Sequence, residues 1–389
     1  MNGKPLVFLD SAASAQKPQA VIDAVRAAYE SGYANIHRGL YRYSQDLTEA
    51  FENVRVRIAR FIGAASEKEI IFTRNATEGI NLVAQSWGRT FLKAGDEVIL
   101  SVMEHHANIV PWQMLKDEIG IEIRVIPIDA RGVLDMDAYS AALSEKTRLV
   151  AITQVSNVLG TINPVKEMTA LAKAHNADIR VLVDGSQGIV HGAVDVQDIG
   201  CDFYVFTGHK LYGPTGVGVL YGRAEILEPM PPYQGGGDMI ETVSFSGTTY
   251  REAPYKFEAG TPAIAEILGF GAAVDYMASL PVDKLMAHEQ KLLGYAMEKL
   301  GNIEGITIYG TAPEKAAVVS FSVDNIHSSD VAMVLDQMGI AVRTGHHCAM
   351  PLMEYLGVEG TVRASVALYS NENDIDRLID GIMKVKELF

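Results

Sequence analysis

Short apolar runs that alternate with helical patterns constrain the fold of this chain more than any other feature. The runs are rich in Val and Ile, and several are nearly continuous in apolar residues, as expected for strands covered by helices on both faces of a sheet. They read EIIFTR, EVILS, IEIRVIPI, TRLVAITQVS, IRVLVDG and CDFYVFTG. Between them lie helical stretches such as PVKEMTALAKAHN, or ATEGINLVAQSW with its apolar face at i, i+3, i+4 and i+7. The alternation predicts an α/β domain built on βαβ units.

The pattern changes after about Gly260. A long helical pattern covers Ala263 to Leu300, and shorter strand and helix patterns follow, ending in the amphipathic segment ENDIDRLIDGIMKVKEL. We therefore expect a large α/β domain over residues 1–262 and a small α+β domain over residues 263–389, with roughly the first 15 residues packing on the small domain. The triplet Gly235–Gly237 predicts a loop that is too short to separate independent modules.

Charge and hydropathy exclude several classes of function. The 389 residues carry a formal net charge of −15, which repels phosphate backbones and anionic membranes, so nucleic acid is not an expected partner. No run of about eighteen apolar residues predicts a membrane span. The first residues have no basic segment followed by an apolar one, and two cysteines, Cys201 and Cys348, do not make a disulfide framework. A cytoplasmic protein is the expectation.

Polar residues follow the predicted strands at positions where α/β proteins bind ligands. Lys210 follows the strand that ends in VFTG, and Asp184 ends the strand IRVLVD. Since ligands sit beyond the carboxyl ends of such strands, Lys210 could form a Schiff base with an aldehyde cofactor. An anionic Asp184 would suit the pyridinium nitrogen of pyridoxal phosphate (PLP). A solvated loop lysine and a capping aspartate are the ordinary alternatives.

Two more signals fall at the same edge. In FTRNATEGIN a strand turns into a helix, and the N–H groups near Ala76 and Thr77 predict a phosphate site. His105 follows the strand EVILS and could stack on a flat cofactor or shuttle protons. A plain helix cap and an ordinary loop histidine would also explain these residues. The placement of all these groups at one sheet edge favours a ligand site.

The segment RTGHHCAMP holds Cys348 in a polar loop. A free cysteine is only a few per cent ionised at neutral pH. A reactive Cys348 therefore needs cationic neighbours, for which Arg343 and protonated His346 or His347 are candidates. A metal site formed by His105, His106 and this loop is an alternative, although adjacent side chains rarely converge on one ion.

Long motifs give the chain a family resemblance. They are LDSAASAQKP, NIHRGLYRYSQ, EHHANIVPW, VDGSQG, GHKLYGPTGVG, FEAGTP and RTGHHCAMPLM. With them, the chain resembles the SufS-like (group II) cysteine desulfurases, which are fold-type I PLP-dependent enzymes of the class V aminotransferase family. The resemblance implies a large domain with a mainly parallel seven-stranded sheet between helices, a small C-terminal domain carrying the catalytic cysteine loop, and a homodimer. It also implies conversion of L-cysteine to L-alanine with a persulfide on Cys348. A SufE-like or SufU-like acceptor protein would then take the sulfur for iron–sulfur cluster assembly.

The resemblance also implies residue roles. The catalytic residues would be Cys348, Lys210 and His105. The PLP-binding residues would be Lys210, Asp184 at the ring nitrogen, Gln187 at the phenolic oxygen, His105 on the ring face, and Ala76, Thr77, Thr207, His209 and the neighbouring subunit's counterpart of Thr261 around the phosphate. The substrate-binding residues would be Arg363 as carboxylate clamp, Arg343, Asn157 and His37. No metal ligand is implied.

Two departures from the family pattern and several rival activities accompany the resemblance. A helical segment that usually precedes the residues matching NGKPLVFLD is missing, which leaves the packing of the N-terminus open. The loop at Cys348 is shorter than in group I desulfurases, so we expect the acceptor protein to approach the site. Selenocysteine lyase, cysteine-sulfinate desulfinase and an aminotransferase-like activity are alternatives on the same scaffold.

Overall fold

The protein is described here by a computed structural model that covers residue 1 and residues 3–389. Its strands are β1 Val7–Phe8, β2 Ile70–Thr73, β3 Glu97–Ser101, β4 Glu122–Ile126, β5 Thr147–Thr153, β6 Arg180–Asp184, β7 Phe203–Thr207, β8 Gly218–Gly222, β9 Ile240–Ser244, β10 Gly247–Tyr250, β11 Ile306–Tyr309, β12 Val318–Val323, β13 Ile340–Ala341, β14 Arg343–Gly345 and β15 Thr361–Ser365.

The α-helices lie between these strands. They are α1 Gln19–Glu30, α2 Arg42–Phe61, α3 Ala76–Leu82, α4 Arg89–Phe91, α5 Val110–Ile119, α6 Met136–Ala142, α7 Val165–His175, α8 Gly188–His191, α9 Val196–Ile199, α10 Ala224–Leu227, α11 Ile264–Ser279, α12 Val282–Gly301, α13 Ser328–Gln337, α14 Met350–Leu356 and α15 Glu372–Leu388. A π-helix, Val83–Gly88, joins α3 to α4, and 3-10 turns occupy Glu67–Glu69, His106–Asn108 and Tyr255–Phe257.

A seven-stranded sheet in the order β2-β8-β7-β6-β5-β3-β4 forms the centre of the larger part. The pairs among β3 to β7 are parallel, whereas β8 runs antiparallel to both of its neighbours. Every residue of β3 and of β7 is buried, because separate hydrophobic clusters of helices and loops cover the two faces of the sheet. The predicted mainly parallel, helix-covered sheet is confirmed.

The C-terminal part has its own sheet and core. The antiparallel order is β11-β12-β15-β14. Helices α12 and α13 pack on this sheet, and α15 packs against these two helices and against β1 and β13. Val7 and Leu9 lie in the same hydrophobic cluster, and β1 pairs in parallel with β13. The segment from Val7 to Leu9 therefore contacts the C-terminal core, while the division at residues 262 and 263 stays a prediction.

The single helical pattern predicted from Ala263 to Leu300 is wrong in one respect. The structure has two helices there, α11 and α12, with a break at Leu280 and Pro281. Proline has no N–H to donate and disfavours helical geometry in the residue before it. Leu280 is accordingly extended, at φ −83° and ψ 142°.

No helix among the described residues combines the length and apolar character that a membrane crossing requires. The topology instead determines where polar groups gather. The carboxyl ends of β3, β5, β6 and β7 meet at one edge of the sheet, and the loop between β14 and α14 faces that edge.

Candidate active site

A cavity of about 260 Å³ lies between the carboxyl edge of the large sheet and the loop that contains Cys348. Of the fourteen site residues predicted from the sequence, twelve line it: Ala76, Thr77, His105, Asn157, Asp184, Gln187, Thr207, His209, Lys210, Arg343, Cys348 and Arg363. Thr261 and His37 do not. Residues from opposite ends of the chain thus meet in one pocket.

Lys210 lies in the turn that follows β7. Burial away from water lowers its pKa to about 8, and the Asp184 carboxylate offsets part of that shift. The turn is anchored by the N-terminal segment, because Lys17 Nζ and the backbone N–H of Ala15 both donate to the carbonyl of His209, at 2.9 and 3.1 Å. A held amine with a lowered pKa is available as a nucleophile near neutral pH.

Asp184 and Gln187 lie where β6 ends and α8 begins. The Asp184 side chain is 5% exposed, and its Oδ1 accepts the Ser186 N–H at 2.9 Å. The Gln187 amide donates to the carbonyl of Ala12 at 2.7 Å. A buried carboxylate of this kind requires a cationic or hydrogen-bonding partner, and the cavity is where a ligand could supply one.

His105 is held as a neutral ring. Its Nδ1 accepts the Ala107 N–H at 3.0 Å, so in the neutral tautomer the proton is on Nε2. Burial, followed by the charge of Lys210, lowers its pKa to about 4. The ring is therefore uncharged around neutral pH, which suits stacking on a flat cofactor.

Glu104, next to His105, is fully buried and was not predicted as a site residue. Its carboxylate accepts from Ser101 Oγ at 2.6 Å, Asn108 Nδ2 at 2.7 Å and the Thr153 N–H at 3.0 Å. Burial raises its pKa to about 7, against the effect of these donors. The three hydrogen bonds connect β3, the turn after it and β5, and so fix the backbone that carries His105.

The helical segment that starts at Ala76 points its first turn into the cavity. Asn75 caps it by accepting the Glu78 N–H at 2.9 Å, while Ala76 and Thr77 line the cavity. The first N–H groups of a helix have no acceptor inside the helix, so they suit an anion. The close packing requires Gly218, since a Cβ there would lie 2.4 Å from the carbonyl carbon of Asn75.

Cys348 is an exposed free thiol on a loop with unusual backbone geometry. His347 and Cys348 both have positive φ angles, 51° and 57°, which non-glycine residues adopt only at a cost. Hydrogen bonds to the large sheet's loops hold this geometry. The His106 N–H donates to the carbonyl of Cys348 at 2.8 Å, His106 Nε2 accepts the Met350 N–H at 3.0 Å, and Asn157 Nδ2 donates to the carbonyl of His347 at 2.8 Å.

The two histidines beside Cys348 have different environments. His347 is buried, its Nε2 lies 2.9 Å from Thr361 Oγ1, and burial lowers its pKa to about 3. It is therefore neutral and supplies no positive charge to the thiol. His346 accepts the Cys348 N–H on Nδ1 at 3.1 Å. The sequence left the cationic neighbour of the thiol open, and this geometry removes His347 from the candidates.

Arg363 and Arg343 converge on Asp10, which sequence reasoning missed. Arg363 is 2% exposed; its Nη1 donates to the carbonyl of Asn157 at 2.7 Å and its Nη2 lies 3.4 Å from Asp10 Oδ1. Burial lowers the pKa of Arg363 to about 10, which leaves the guanidinium charged at neutral pH. Its Nε is buried without a partner in the part of the chain described. A carboxylate could satisfy this atom.

His37 and Thr261 lie outside the cavity. The ring of His37 sits between Glu52 at 3.0 Å and Asp238 at 3.2 Å, and its hydrogen bond to Glu52 raises its pKa. Thr261 is exposed. Their roles toward substrate and the neighbouring subunit stay predictions, as do the roles of the residues inside the cavity. Among the described residues, no three His, Cys, Asp or Glu side chains are grouped as a metal ion would require.

Known proteins share both the sequence and this fold. Residues 7–378 match the family described as Aminotransferase class-V. The chain is 54% identical over all 389 residues to the cysteine desulfurases of Yersinia pestis (strain Pestoides F) and Yersinia pseudotuberculosis serotype O:3 (strain YPIII), and the match covers 95% of each of them.

Solved structures agree. The cysteine desulfurase CsdA of Escherichia coli, in an S-sulfonic acid form, superposes with a TM-score of 0.92 at 40% identity, covering 98% of this chain and 95% of that one. The apo cysteine desulfurase of Thermococcus onnurineus NA1 superposes with a TM-score of 0.95 at 37% identity, and the match covers 99% of this chain and 95% of that one. A C-DES mutant with glycine covalently linked to its PLP cofactor, at 24% identity and a TM-score of 0.84, shares the fold; the match covers 96% of this chain and 95% of that one.

The chain belongs to the class-V aminotransferase family. Within that family it groups with the cysteine desulfurases, so the predicted family and activity class are confirmed. The narrower assignment to the SufS-like subgroup stays a prediction.

Proposed function

We propose that this chain uses PLP to remove sulfur from L-cysteine and leaves that sulfur as a persulfide on Cys348. One observation carries the proposal: Lys210 and Cys348 line the same cavity, although they are 138 residues apart and lie in loops that follow strands of two different sheets. The first is a nucleophilic amine with a pKa of about 8, and the second is an exposed thiol.

The residues of the cavity fit PLP. Lys210 would hold the aldehyde carbon, the buried Asp184 would meet the ring nitrogen, and Gln187 the phenolic oxygen. The neutral His105 ring would stack on the pyridine, and Thr207, His209 and the N–H groups of Ala76 and Thr77 would surround the phosphate. Bound PLP supplies an electron sink for negative charge that develops at the substrate's α-carbon.

The chain's own residues perform the remaining steps. Arg363 binds the substrate carboxylate, since its buried Nε has no other partner in the described part of the chain and a guanidinium group can pair with both oxygens of a carboxylate. Lys210 is placed to remove the α-proton. The Cys348 thiolate attacks the substrate sulfur: an S–S bond forms, the Cβ–S bond breaks, and its electron pair stays on the carbon skeleton. Protonation of that skeleton gives L-alanine.

An exposed thiol on a tied loop suits transfer to a protein. The loop at Cys348 is held by hydrogen bonds to His106 and Asn157, so the acceptor's thiol must reach the cavity mouth. We propose a SufE-like or SufU-like acceptor and a role in iron–sulfur cluster assembly, in the cytoplasm.

A homodimer completes the proposal. The β9–β10 hairpin is exposed along its length, and Phe245 at its tip projects from the surface. Further apolar surface comes from Leu40, 92% exposed just before α2, and from the exposed Tyr43 in the first turn of α2. Apolar surface of this kind is typical of protein interfaces, and Thr261, itself exposed, would then reach the neighbouring subunit's phosphate site.

Two variants test the function. Cys348→Ala should abolish sulfur release from L-cysteine and keep the colour of bound PLP. Lys210→Ala should lose the covalent adduct that borohydride traps between lysine and PLP. Cys201 is the matched control because it is the other cysteine and is buried, and burial raises its pKa. Cys201→Ala should keep sulfur release. Full turnover of L-cysteine by Cys348→Ala would overturn the nucleophile assignment.

A further inference from the structure

Asp10 is fixed beside the substrate-binding arginines by the backbone around it. Its neighbour Leu9 accepts the Ser365 N–H at 2.8 Å, and the Ala12 N–H donates to Ser365 Oγ at 2.9 Å. Asp10 itself forms a parallel bridge with Ser365, two residues after Arg363 on β15. The position of the Asp10 carboxylate is therefore built into the pairing of the N-terminal segment with the C-terminal sheet.

The two arginines share this carboxylate unequally. Arg343 donates to it through two atoms, Nε to Oδ1 at 3.0 Å and Nη2 to Oδ2 at 2.9 Å. Arg363 makes one long contact with Asp10, of 3.4 Å through Nη2, and its Nε has no partner among the described residues. Asp10 thus occupies the Nε and Nη2 donors of Arg343, whereas the Nε donor of Arg363 stays available to a ligand. Two guanidinium groups line the cavity, but the charge of one is already neutralised by Asp10.

Because Arg343 lies in the same cavity as Cys348, its pairing with Asp10 affects which substrate side chains the cavity can accept. Arg343 and Cys348 line the same cavity and are five residues apart in the chain, so a substrate whose side chain ends at Cys348 brings that end close to Arg343. A neutral thiol at that point needs no cation. An anionic side chain would need a cation there. The nearest guanidinium group, that of Arg343, is already paired with the Asp10 carboxylate, which would also repel the anion.

We infer that Asp10 is a specificity-determining residue: it occupies Arg343, so that the cavity accepts amino acids with one carboxylate, on Arg363, and disfavours those with a second anionic group on the side chain. This inference rests on the proposed function, since it takes L-cysteine as the substrate. Its chemistry is general, because an anion and a bound carboxylate compete for one guanidinium fork.

The test compares two amino acids on the holoenzyme by isothermal titration calorimetry. L-Alanine carries one carboxylate, and L-aspartate carries a second where the thiol of cysteine would lie. The wild type should bind L-alanine more tightly than L-aspartate. Asp10→Asn, which keeps the side-chain size and removes the charge, should shift the ratio of the two affinities toward L-aspartate by about 3- to 10-fold. Arg343 is half exposed, which limits the effect through solvent screening. Asp10→Glu keeps the charge and should keep the wild-type preference.

The outcomes separate a selective role from a structural one. If Asp10 only supports the fold, Asp10→Asn weakens both ligands alike, and an unchanged ratio overturns the inference. Equal affinity of the wild type for the two ligands overturns it without any variant, so the test does not depend on the variant folding. Persulfide formation from L-cysteine on the same wild-type preparation tests the proposed function separately. Its presence with an unchanged affinity ratio would reject the inference alone.

Discussion

The hydrogen bond between His106 and the Cys348 loop gives the sharpest prediction about reactivity. In His106→Ala the Met350 N–H loses its acceptor, Nε2 at 3.0 Å, while the backbone bond from residue 106 to the carbonyl of Cys348 remains possible. The loop holds two consecutive residues at positive φ, each costing about 1–3 kcal/mol, so its geometry depends on such ties.

The magnitude follows from the type of bond. A neutral hydrogen bond contributes about 0.5–1.5 kcal/mol net, and Met350 is exposed, so water replaces part of it. A loss of about 0.5–1 kcal/mol lowers the population of the attacking loop conformation, and we expect persulfide formation on Cys348 to slow by about 2- to 5-fold.

The assay is a single-turnover measurement with excess holoenzyme, quenched and read as persulfide on Cys348. Hydrogen exchange at Met350 should quicken in parallel. His175→Ala is the matched control, since His175 is exposed at the end of α7, by the opposite edge of the sheet, and should leave both rates unchanged. A His106→Ala enzyme with wild-type persulfide formation and wild-type exchange at Met350 would refute the reasoning.

Three further predictions concern Lys210 and two residues that support the elements around the cavity. Glu104→Gln replaces one carboxylate oxygen, which accepts hydrogen bonds, by an NH₂ group that would point at other donors. Thermal unfolding should therefore show a free energy of unfolding lower by about 1–3 kcal/mol. Unchanged stability would contradict the proposed role of this hydrogen-bond network. Gly218→Ala should lower the free energy of unfolding by about 1–3 kcal/mol and weaken PLP retention, because the added Cβ meets the backbone of Asn75. Gly294→Ala on α12 is the control: an added Cβ there meets open space, so stability and PLP retention should not change. In the cofactor-free chain Lys210 should react with PLP faster as pH rises through about 8, since its neutral form dominates above its pKa; a rate still climbing toward pH 10.5 would indicate an unperturbed lysine.

The large sheet and much of the candidate site could be predicted from one sequence feature, the buried strands and the polar residues that follow them. Apolar runs without polar alternation indicate strands buried on both faces, and their carboxyl ends share an edge. That rule alone brought Lys210, Asp184 and His105 together. The polar segment around Cys348 indicated a reactive thiol, and the family resemblance then gave this thiol its role and added Arg363. These two residues belong to the C-terminal part, and no periodicity connects them to the large sheet.

The parts that were missed depend on distant contacts. Asp10 meets Arg343 across 333 positions of the chain, and His106 meets Met350 across 244. Local patterns contain no information about such pairs. One signal was available for Asp10, since it is a carboxylate directly after an apolar run, as Asp184 is. Pro281 likewise marked the break between α11 and α12, and the helical pattern around it concealed that signal.

The most direct measurement of the central claim is mass spectrometry of the peptide containing Cys348 after L-cysteine is added to the holoenzyme, with no acceptor protein present. We expect this peptide to gain one sulfur atom in the wild type and not in Lys210→Ala, and the Cys201 peptide to stay unmodified. Sulfide and L-alanine produced at the wild-type rate with an unmodified Cys348 peptide would contradict it, as would sulfur found on Cys201 instead.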